Sequence, residues 1–157
     1  METTTETPWL NATQQRIWRS FLGGTTVLMD QLDRDLRAKH GLSMPEYEIL
    51  VRLSEAPGRA ARMAELATAV AHSRSRITHT IARLERVGLV QREHSSDDGR
   101  GVSAMLTDQG FAALETAAHT HVSGVHDYFI ANADTDDLKA VGRVMQKVVD
   151  ALEGKPF

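Results

Sequence analysis

The chain has 157 residues, of which 41% are hydrophobic, and this is sufficient for one compact domain with its own core. It contains no cysteine, which excludes disulfides, thiolate metal ligands and a thiol-based redox switch. The formal net charge is −3, yet residues 59–100 contain eight arginines against five acidic residues, so that segment carries +3 and the remainder −6. A basic segment between acidic ends indicates that only this segment meets a polyanion, although charge alone fits a solvated arginine-rich surface equally well.

The N-terminal stretch, residues 1–10, begins with METTTETP, which is acidic and hydroxyl-rich and has no apolar run behind it. This composition predicts a flexible tail and not a signal peptide. No apolar run in the sequence approaches the roughly 18 residues that a membrane span requires. We therefore expect a soluble, cytoplasmic protein.

Two capping boxes predict the first two helices. NATQ at residues 11–14 begins a first helix of more than 20 residues that ends near Gly41. SMPE at residues 43–46 begins a second helix, with its proline tolerated in the first turn, and APGR at residues 56–59 stops it. The apolar positions of the first helix are Ile17, Phe21, Leu28, Leu32 and Leu36, and those of the second are Ile49, Leu50 and Leu53.

A short alanine-rich helix and a longer arginine-rich helix follow closely on one another. The first lies within RMAELATAV, residues 62–70, with Met63, Leu66, Ala67 and Val70 on one face. The second has Ser73 as its expected N-cap, and Gly88 lies where a left-handed C-terminal cap is expected. Its buried stripe is Ile77, Ile81 and Leu84, spaced i, i+4 and i+7.

Beyond Gly88 the sequence pattern changes from helix to strand. LVQRE and VSAML predict two short strands, and HSSDDGRG between them has the composition of a charged turn. Thr107 then caps a fifth helix that runs toward Asn132, and a sixth helix starts at Thr135. The predicted fold class is mainly α with a small β-hairpin.

Two tightly joined helices followed by a hairpin are typical of a winged helix-turn-helix, whose second helix enters the DNA major groove. On a helical wheel, turning Ile77 and Ile81 toward the core leaves an outward side made almost entirely of hydrogen-bond donors. Arginine pairs with guanine, while serine and threonine suit phosphates or either base type. The outward residues are Ser75, Arg76, His79, Arg83 and Arg86, with Thr78 beside them and Arg74 at the exposed first turn.

The segments MAELATAVAHSRSRITHTIARLERVGLVQRE and SSDDGRGVSAMLTDQG resemble the DNA-binding lobe of MarR-type (multiple-antibiotic-resistance regulator) transcription factors. The shared features are an arginine- and threonine-bearing recognition helix, Leu-x-x-x-Gly-Leu-Val-x-Arg, a wing with Asp-x-Arg and a following Leu-Thr-x-x-Gly. The resemblance extends to the whole chain. It implies a helical dimerisation region at residues 11–42 and 107–154 around a winged helix-turn-helix lobe at residues 43–106.

The resemblance also implies a function and a set of contacts. The wing arginine reaches the minor groove and an aspartate orients it, which places these roles on Arg100 and Asp98. The implied protein is a homodimeric repressor that binds a pseudo-palindromic double-stranded operator and is released by a small aromatic or phenolic effector. The predicted DNA contacts are Arg62, Arg74, Ser75, Arg76, Thr78, His79, Arg83, Asp98 and Arg100.

Other classes of function are less well supported. The sequence has no Gly-x-Ser-x-Gly elbow and no glycine-rich phosphate loop, so we do not expect an enzyme. His119 and His121 are two residues apart and point to different sides of a helix, so we expect no metal site unless His40 or a carboxylate joins them. A winged-helix module for protein interaction, or a regulator without an effector, stays open as an alternative.

Two features of the first helix each have two interpretations. Trp9 and Trp18 either line an aromatic ligand cleft or anchor the helix on a partner subunit, and we favour the anchor. The pair Gly23 and Gly24 costs a helix roughly 2 kcal/mol relative to alanine. Either a backbone approaches closely at this pair or the helix bends there.

Overall fold

The computed structural model describes residues 7–69, 74–94 and 101–153. Along the chain the elements are α1 (Ala12–His40), α2 (Met44–Glu55), β1 (Ala60–Arg62), α3 (Met63–Ala69), α4 (Arg74–Arg86), β2 (Val90–His94), β3 (Val102–Leu106), α5 (Asp108–Tyr128) and α6 (Thr135–Glu153). Short 3-10 turns at Pro57–Arg59 and Ile130–Asn132 follow α2 and α5. The six helices and the strands β2 and β3 follow the predicted order, and β1 is an element that was not predicted.

Local capping sets the helix ends where the sequence predicts them. Asn11 and Ser43 each form a complete capping box with the residue three positions on. Gly41 ends α1 in the left-handed conformation, with φ 65°, and its N–H donates to the Arg37 carbonyl. Thr107 caps α5 by accepting a hydrogen bond from the Gly110 N–H at 2.9 Å. Ser73, the predicted cap of α4, lies outside the described residues.

The wing is a three-stranded antiparallel sheet in the order β1-β3-β2. The predicted hairpin is confirmed as β2 and β3, and β1 is a strand that the sequence did not predict. β2 and β3 pair as predicted, from Val90 opposite Leu106 to His94 opposite Val102. β1 adds three further pairs to the other edge of β3, with Ala60 opposite Met105. The strand was missed because three residues, Ala-Ala-Arg, carry no alternation of apolar and polar side chains.

The main core lies inside the lobe formed by α2, α3, α4 and the sheet, and the first part of α5 closes it. Ile77, Ile81 and Leu84 are at most 1% exposed, which confirms the buried stripe predicted for α4. They pack with residues of the neighbouring elements, including Leu50, Leu53 and Leu66. This apolar packing holds one side of α4 against the core and leaves its other side facing outward.

α1 packs on α5, but both ends of the chain leave apolar side chains in solvent. The most exposed aliphatic side chains on α1 and α6 are Ile17 at 65%, Val27 at 66%, Val144 at 59% and Leu152 at 80%. Around Gly23 and Gly24, no described atom lies within 4 Å of the position that an added Cβ would take. α1 continues through this pair as one helix, and no backbone approaches the pair within the single chain.

No helix in the described ranges combines the length and apolar character needed to cross a membrane.

Candidate nucleic-acid interface

The outward side of α4 carries the polar residues that the helical wheel predicts. Ser75, Arg76, Thr78 and His79 are all exposed, while Ile77 between them is 1% exposed. The helix has 13 residues, so this row lies in its first two turns. A row of exposed donors on the N-terminal half of a helix matches the way recognition helices meet base edges. The position of the row is therefore as predicted, and its contact with DNA stays a prediction.

An ion pair between Arg92 and Glu85 joins α4 to the wing. The guanidinium of Arg92 on β2 donates from Nε and Nη2 to Oε2 of Glu85, at 2.8 and 2.6 Å. The backbone N–H of Arg92 also donates to Glu85 Oε1 at 3.3 Å. The hydrogen bonds from Arg92 hold the pKa of the Glu85 carboxyl below its ordinary value. This pair holds the middle of β2 against α4.

Arg62 lies at the junction of β1 and α3, beside the recognition helix. Its backbone N–H donates to Oε2 of Glu65 at 3.2 Å, which caps the start of α3. With Thr78 and Arg92 it lines a groove of about 440 Å³ that extends to Gly101 and Val102 at the base of β3. The structure thus brings Arg62 and Thr78 together. Arg92 in this groove was missed, because its position on a strand gave no sign that it faces α4.

Arg83 is exposed on α4, as the wheel predicts, but its guanidinium has partners within the chain. Nε lies 2.8 Å from Oε1 of Glu46, and Nη2 donates to the carbonyl of Gly41 at 2.8 Å. Gly41 follows the end of α1, and Glu46 lies in the first turn of α2. A helical wheel shows which side a residue faces, but it does not show which distant element that side meets.

Several predicted DNA contacts lie outside the described part of the chain. Asp98 and Arg100 fall in residues 95–100, and the side chain of Arg74 is not described, although its backbone begins α4. The predictions for these residues rest on the sequence.

The two tryptophans are exposed at the N-terminal end of the chain. Trp9 is 87% exposed, and Trp18 on α1 is 51% exposed and stacks on Phe21 with the ring centroids 5.9 Å apart. Aromatic side chains left in solvent on one helix are typical of a surface that a partner covers. The choice between ligand cleft and subunit anchor stays a prediction.

The histidines of α5 have separate surroundings. His121 packs its ring on Tyr47, with centroids 4.7 Å apart, and burial lowers the pKa of the imidazole. His40 forms a 2.7 Å hydrogen bond with the hydroxyl of Thr120, and His119 is exposed. Among the described residues, no group of three histidine, aspartate or glutamate side chains is placed to hold a metal ion.

Comparison with known proteins identifies the family. Residues 42–102 match the model of the MarR family. The chain is 29% identical to the HTH-type transcriptional regulator PecS of Dickeya dadantii, over 82% of this chain and 80% of that protein. The crystal structure of AbsC, a MarR family transcriptional regulator from Streptomyces coelicolor, is 40% identical, with 95% of this chain and 100% of that chain covered and a TM-score of 0.87.

A second solved structure agrees over nearly the same length. Sco3205, a MarR family transcriptional regulator from Streptomyces coelicolor solved in complex with DNA, is 39% identical, with a TM-score of 0.90. That match covers 94% of this chain and 92% of the other. Fold, sequence and the exposed face of α4 agree, and the chain belongs to the MarR family of transcriptional regulators, which are DNA-binding proteins and not enzymes.

Proposed function

We propose that the protein is a homodimeric repressor that binds a pseudo-palindromic operator in double-stranded DNA. The observation that carries this proposal is the exposed face of α4, where Ser75, Arg76, Thr78 and His79 are presented by a buried apolar stripe. The DNA complex solved for the related Sco3205 supports the same use of the fold here. Acting on chromosomal DNA, the protein belongs in the bacterial cytoplasm.

In this proposal α4 lies in the major groove and reads the base sequence. Arg76 takes guanine O6 and N7 through its guanidinium, while Ser75 and Thr78 contact phosphates or bases. Arg74 at the first turn and Arg62 beside it contact the phosphate backbone. In the wing, Arg100 enters the minor groove and Asp98 orients it, as the family resemblance implies.

The dimer is supported by apolar surface that the single chain leaves uncovered. Exposed apolar residues lie on α1 and α6, including Ile17, Val144 and Leu152. The open space around Gly23 and Gly24 leaves room for a partner backbone to approach α1. A two-fold dimer places its recognition helices about one helical turn of DNA apart, which predicts half-sites roughly 10 bp apart.

Release by a small aromatic or phenolic effector completes the proposal. A groove of about 540 Å³ lies where the end of α1 meets α4 and α5, lined in part by His40, Leu42 and Val87. This volume suits a small aromatic molecule. An occupant here would touch both the dimerisation helices and the DNA-binding lobe, so it can change their relative position.

Selection of bound sequences from genomic fragments, followed by footprinting of the purified protein, tests the DNA part of the proposal. We expect a protected two-fold site whose affinity falls steeply with salt, because phosphate contacts release counterions. The absence of any salt-sensitive, sequence-selective binding would refute it and favour a protein-interaction module. Repeating the footprint with a panel of aromatic acids tests the effector, since loss of protection with one compound identifies it.

A further inference from the structure

The contact of Arg83 with the α1–α2 turn joins two parts of the molecule that are far apart in sequence. Arg83 Nε lies 2.8 Å from Glu46 Oε1, and Nη2 donates to the Gly41 carbonyl at 2.8 Å. The Glu46 side chain is 3% exposed, whereas that of Arg83 is 44% exposed. A buried carboxylate held by one arginine is costly to leave unpaired, so this pair persists in the folded chain.

The turn that receives Arg83 is itself held firmly. The other oxygen of Glu46 accepts the Ser43 N–H at 2.7 Å, which completes the capping box of α2. The Met44 N–H donates to Asp33 Oδ1 at 2.8 Å, and Asp33 Oδ2 pairs with Arg37 at 2.6 Å. Burial of the Asp33 carboxyl raises its pKa, but the hydrogen bonds from Arg37 and from the Met44 N–H together outweigh burial and leave the pKa lowered. Arg83 is thus tied to a rigid support and not to a free loop.

That support continues into the helices proposed to form the dimer. At the end of α1, His40 bonds to Thr120 of α5 at 2.7 Å. One turn earlier in the helix, Asp35 accepts a hydrogen bond from the Tyr128 hydroxyl at 2.8 Å. Gly124 lies so close to Leu32 that an added Cβ would be 2.8 Å from Leu32 Cδ2. α1 and α5 therefore move together, and Arg83 connects them to α4.

We propose that Arg83 is a positioning residue, which sets the orientation of α4 relative to the α1–α5 frame through Glu46 and the Gly41 carbonyl. The inference rests on the proposed dimeric DNA binding and deepens it. Arg83 lies in the second half of α4, while Arg76 and His79 lie in the first half. Fixing the far end of a helix sets the direction of the near end, and with it the separation of the two recognition helices.

A positioning role and a direct DNA contact predict different effects on half-site binding and on its salt dependence. A positioning residue matters when both half-sites must be engaged together, because the second contact forms only if the geometry allows it. A phosphate contact matters equally at one half-site and at two. Its loss also lowers the slope of log affinity against log salt by about 0.9 for each contact.

The experiment measures DNA binding of the full chain by fluorescence anisotropy, on the selected operator and on a duplex with a single half-site. The variants are Arg83→Gln, Arg83→Lys and Glu46→Gln, and Arg52→Gln, at an exposed position on α2, is the control for loss of one positive charge. Glu46→Gln keeps the size of the side chain and its capping acceptor, so it tests the pair even if Arg83→Gln fails to fold. Lysine keeps the charge but cannot reach both partners as the guanidinium does.

We expect Arg83→Gln to weaken operator binding roughly tenfold or more and to change single half-site binding less than about threefold, with an unaltered salt slope. Arg83→Lys and Glu46→Gln should behave like Arg83→Gln, although Glu46 is too buried to touch DNA. Restored binding in Arg83→Lys, or operator binding by Glu46→Gln at the level of the control, would overturn the inference. A wild-type protein that binds no DNA would instead refute the proposed function.

Discussion

Arg92 and Glu85 form an ion pair in which Nε and Nη2 of the arginine both donate to one carboxylate oxygen, at 2.8 and 2.6 Å, and this pair connects the wing to α4. The lowered pKa of Glu85 makes this connection dependent on pH. A carboxyl whose pKa is lower in the folded state stabilises the fold above its unfolded pKa. That contribution is lost as the pH falls through the folded pKa.

We therefore predict that Glu85→Gln lowers the melting temperature at neutral pH, and that its difference from wild type disappears as the pH falls below the ordinary glutamate value of 4.5. Thermal unfolding between about pH 3 and pH 7 measures this. The exposed Glu115 on α5 provides the matched control, Glu115→Gln, for loss of one surface carboxylate. Equal pH profiles for the two variants would show that the pair with Arg92 contributes nothing.

Gly110 in the first turn of α5 lies directly against the wing. An added Cβ would be 2.0 Å from the Leu89 carbonyl oxygen and 2.7 Å from Leu106 Cδ1. Since the nearest atom belongs to the backbone, Gly110→Ala must displace α5 or β2. We predict a loss of roughly 2–4 kcal/mol in the free energy of unfolding, measured in urea.

The control for this substitution is Gly142→Ala on α6, where no described atom lies within 4 Å of the added Cβ. Alanine there should raise stability or leave it unchanged, by at most about 1 kcal/mol, through helix propensity. If Gly110→Ala behaved in the same way, the close approach of Leu89 would be wrong.

Subunit contact through the exposed apolar residues of α1 and α6 is testable by mutation. Ile17→Asp with Leu152→Asp should convert the proposed dimer to a monomer in sedimentation experiments, because burying an unpaired carboxylate costs several kcal/mol. The core of the lobe should survive, as neither residue belongs to it. Val87→Asp, at an exposed apolar position outside these helices, is the control and should leave the dimer intact.

Two arginines should affect DNA binding in different ways. Arg76→Ala should relax base preference at one position in each half-site, at a cost of roughly 1–3 kcal/mol per contact. Arg100→Ala should weaken all sequences more evenly and reduce the salt dependence by about one phosphate contact per subunit. Binding to a panel of operator variants at several salt concentrations separates the two. Wild-type behaviour of both would contradict the proposed docking of α4 and the wing.

His121 should make stability fall in mild acid. Burial against Tyr47 lowers the pKa of the imidazole below its ordinary value of 6.5, so the unfolded chain binds a proton more readily than the folded one. Stability is therefore lost as the pH falls below 6.5, down to the folded pKa. His121→Phe should lose less stability than wild type between about pH 7 and pH 5, measured by thermal unfolding. The exposed His119→Gln should keep the wild-type slope.

Local chemistry made much of this fold predictable from sequence. The capping boxes at Asn11 and Ser43 and the left-handed Gly88, with φ 78°, are decided by a few neighbouring residues, and each was predicted at its observed position. The buried stripe of α4 was predictable for the same reason, since its spacing is a property of one helix.

Features that depend on distant partners were not predictable. β1 exists only because Ala60–Arg62 pairs with β3 more than forty residues later. The wheel placed Arg83 outward, and its exposure agrees, but the pair with Glu46 depends on how α2 packs on α4. The crowding at Gly110 likewise depends on where Leu89 lies. None of these contacts can be recognised from the spacing of residues that are close together in the sequence.

β1 also determines how the molecule can change shape. β1 leads directly into α3 and pairs with β3. The sheet therefore connects α3 to the wing. The wing cannot swing separately from the recognition helix without breaking that sheet. In the proposed dimer, a change in the distance between the two operator-binding surfaces is then a tilt of the whole lobe.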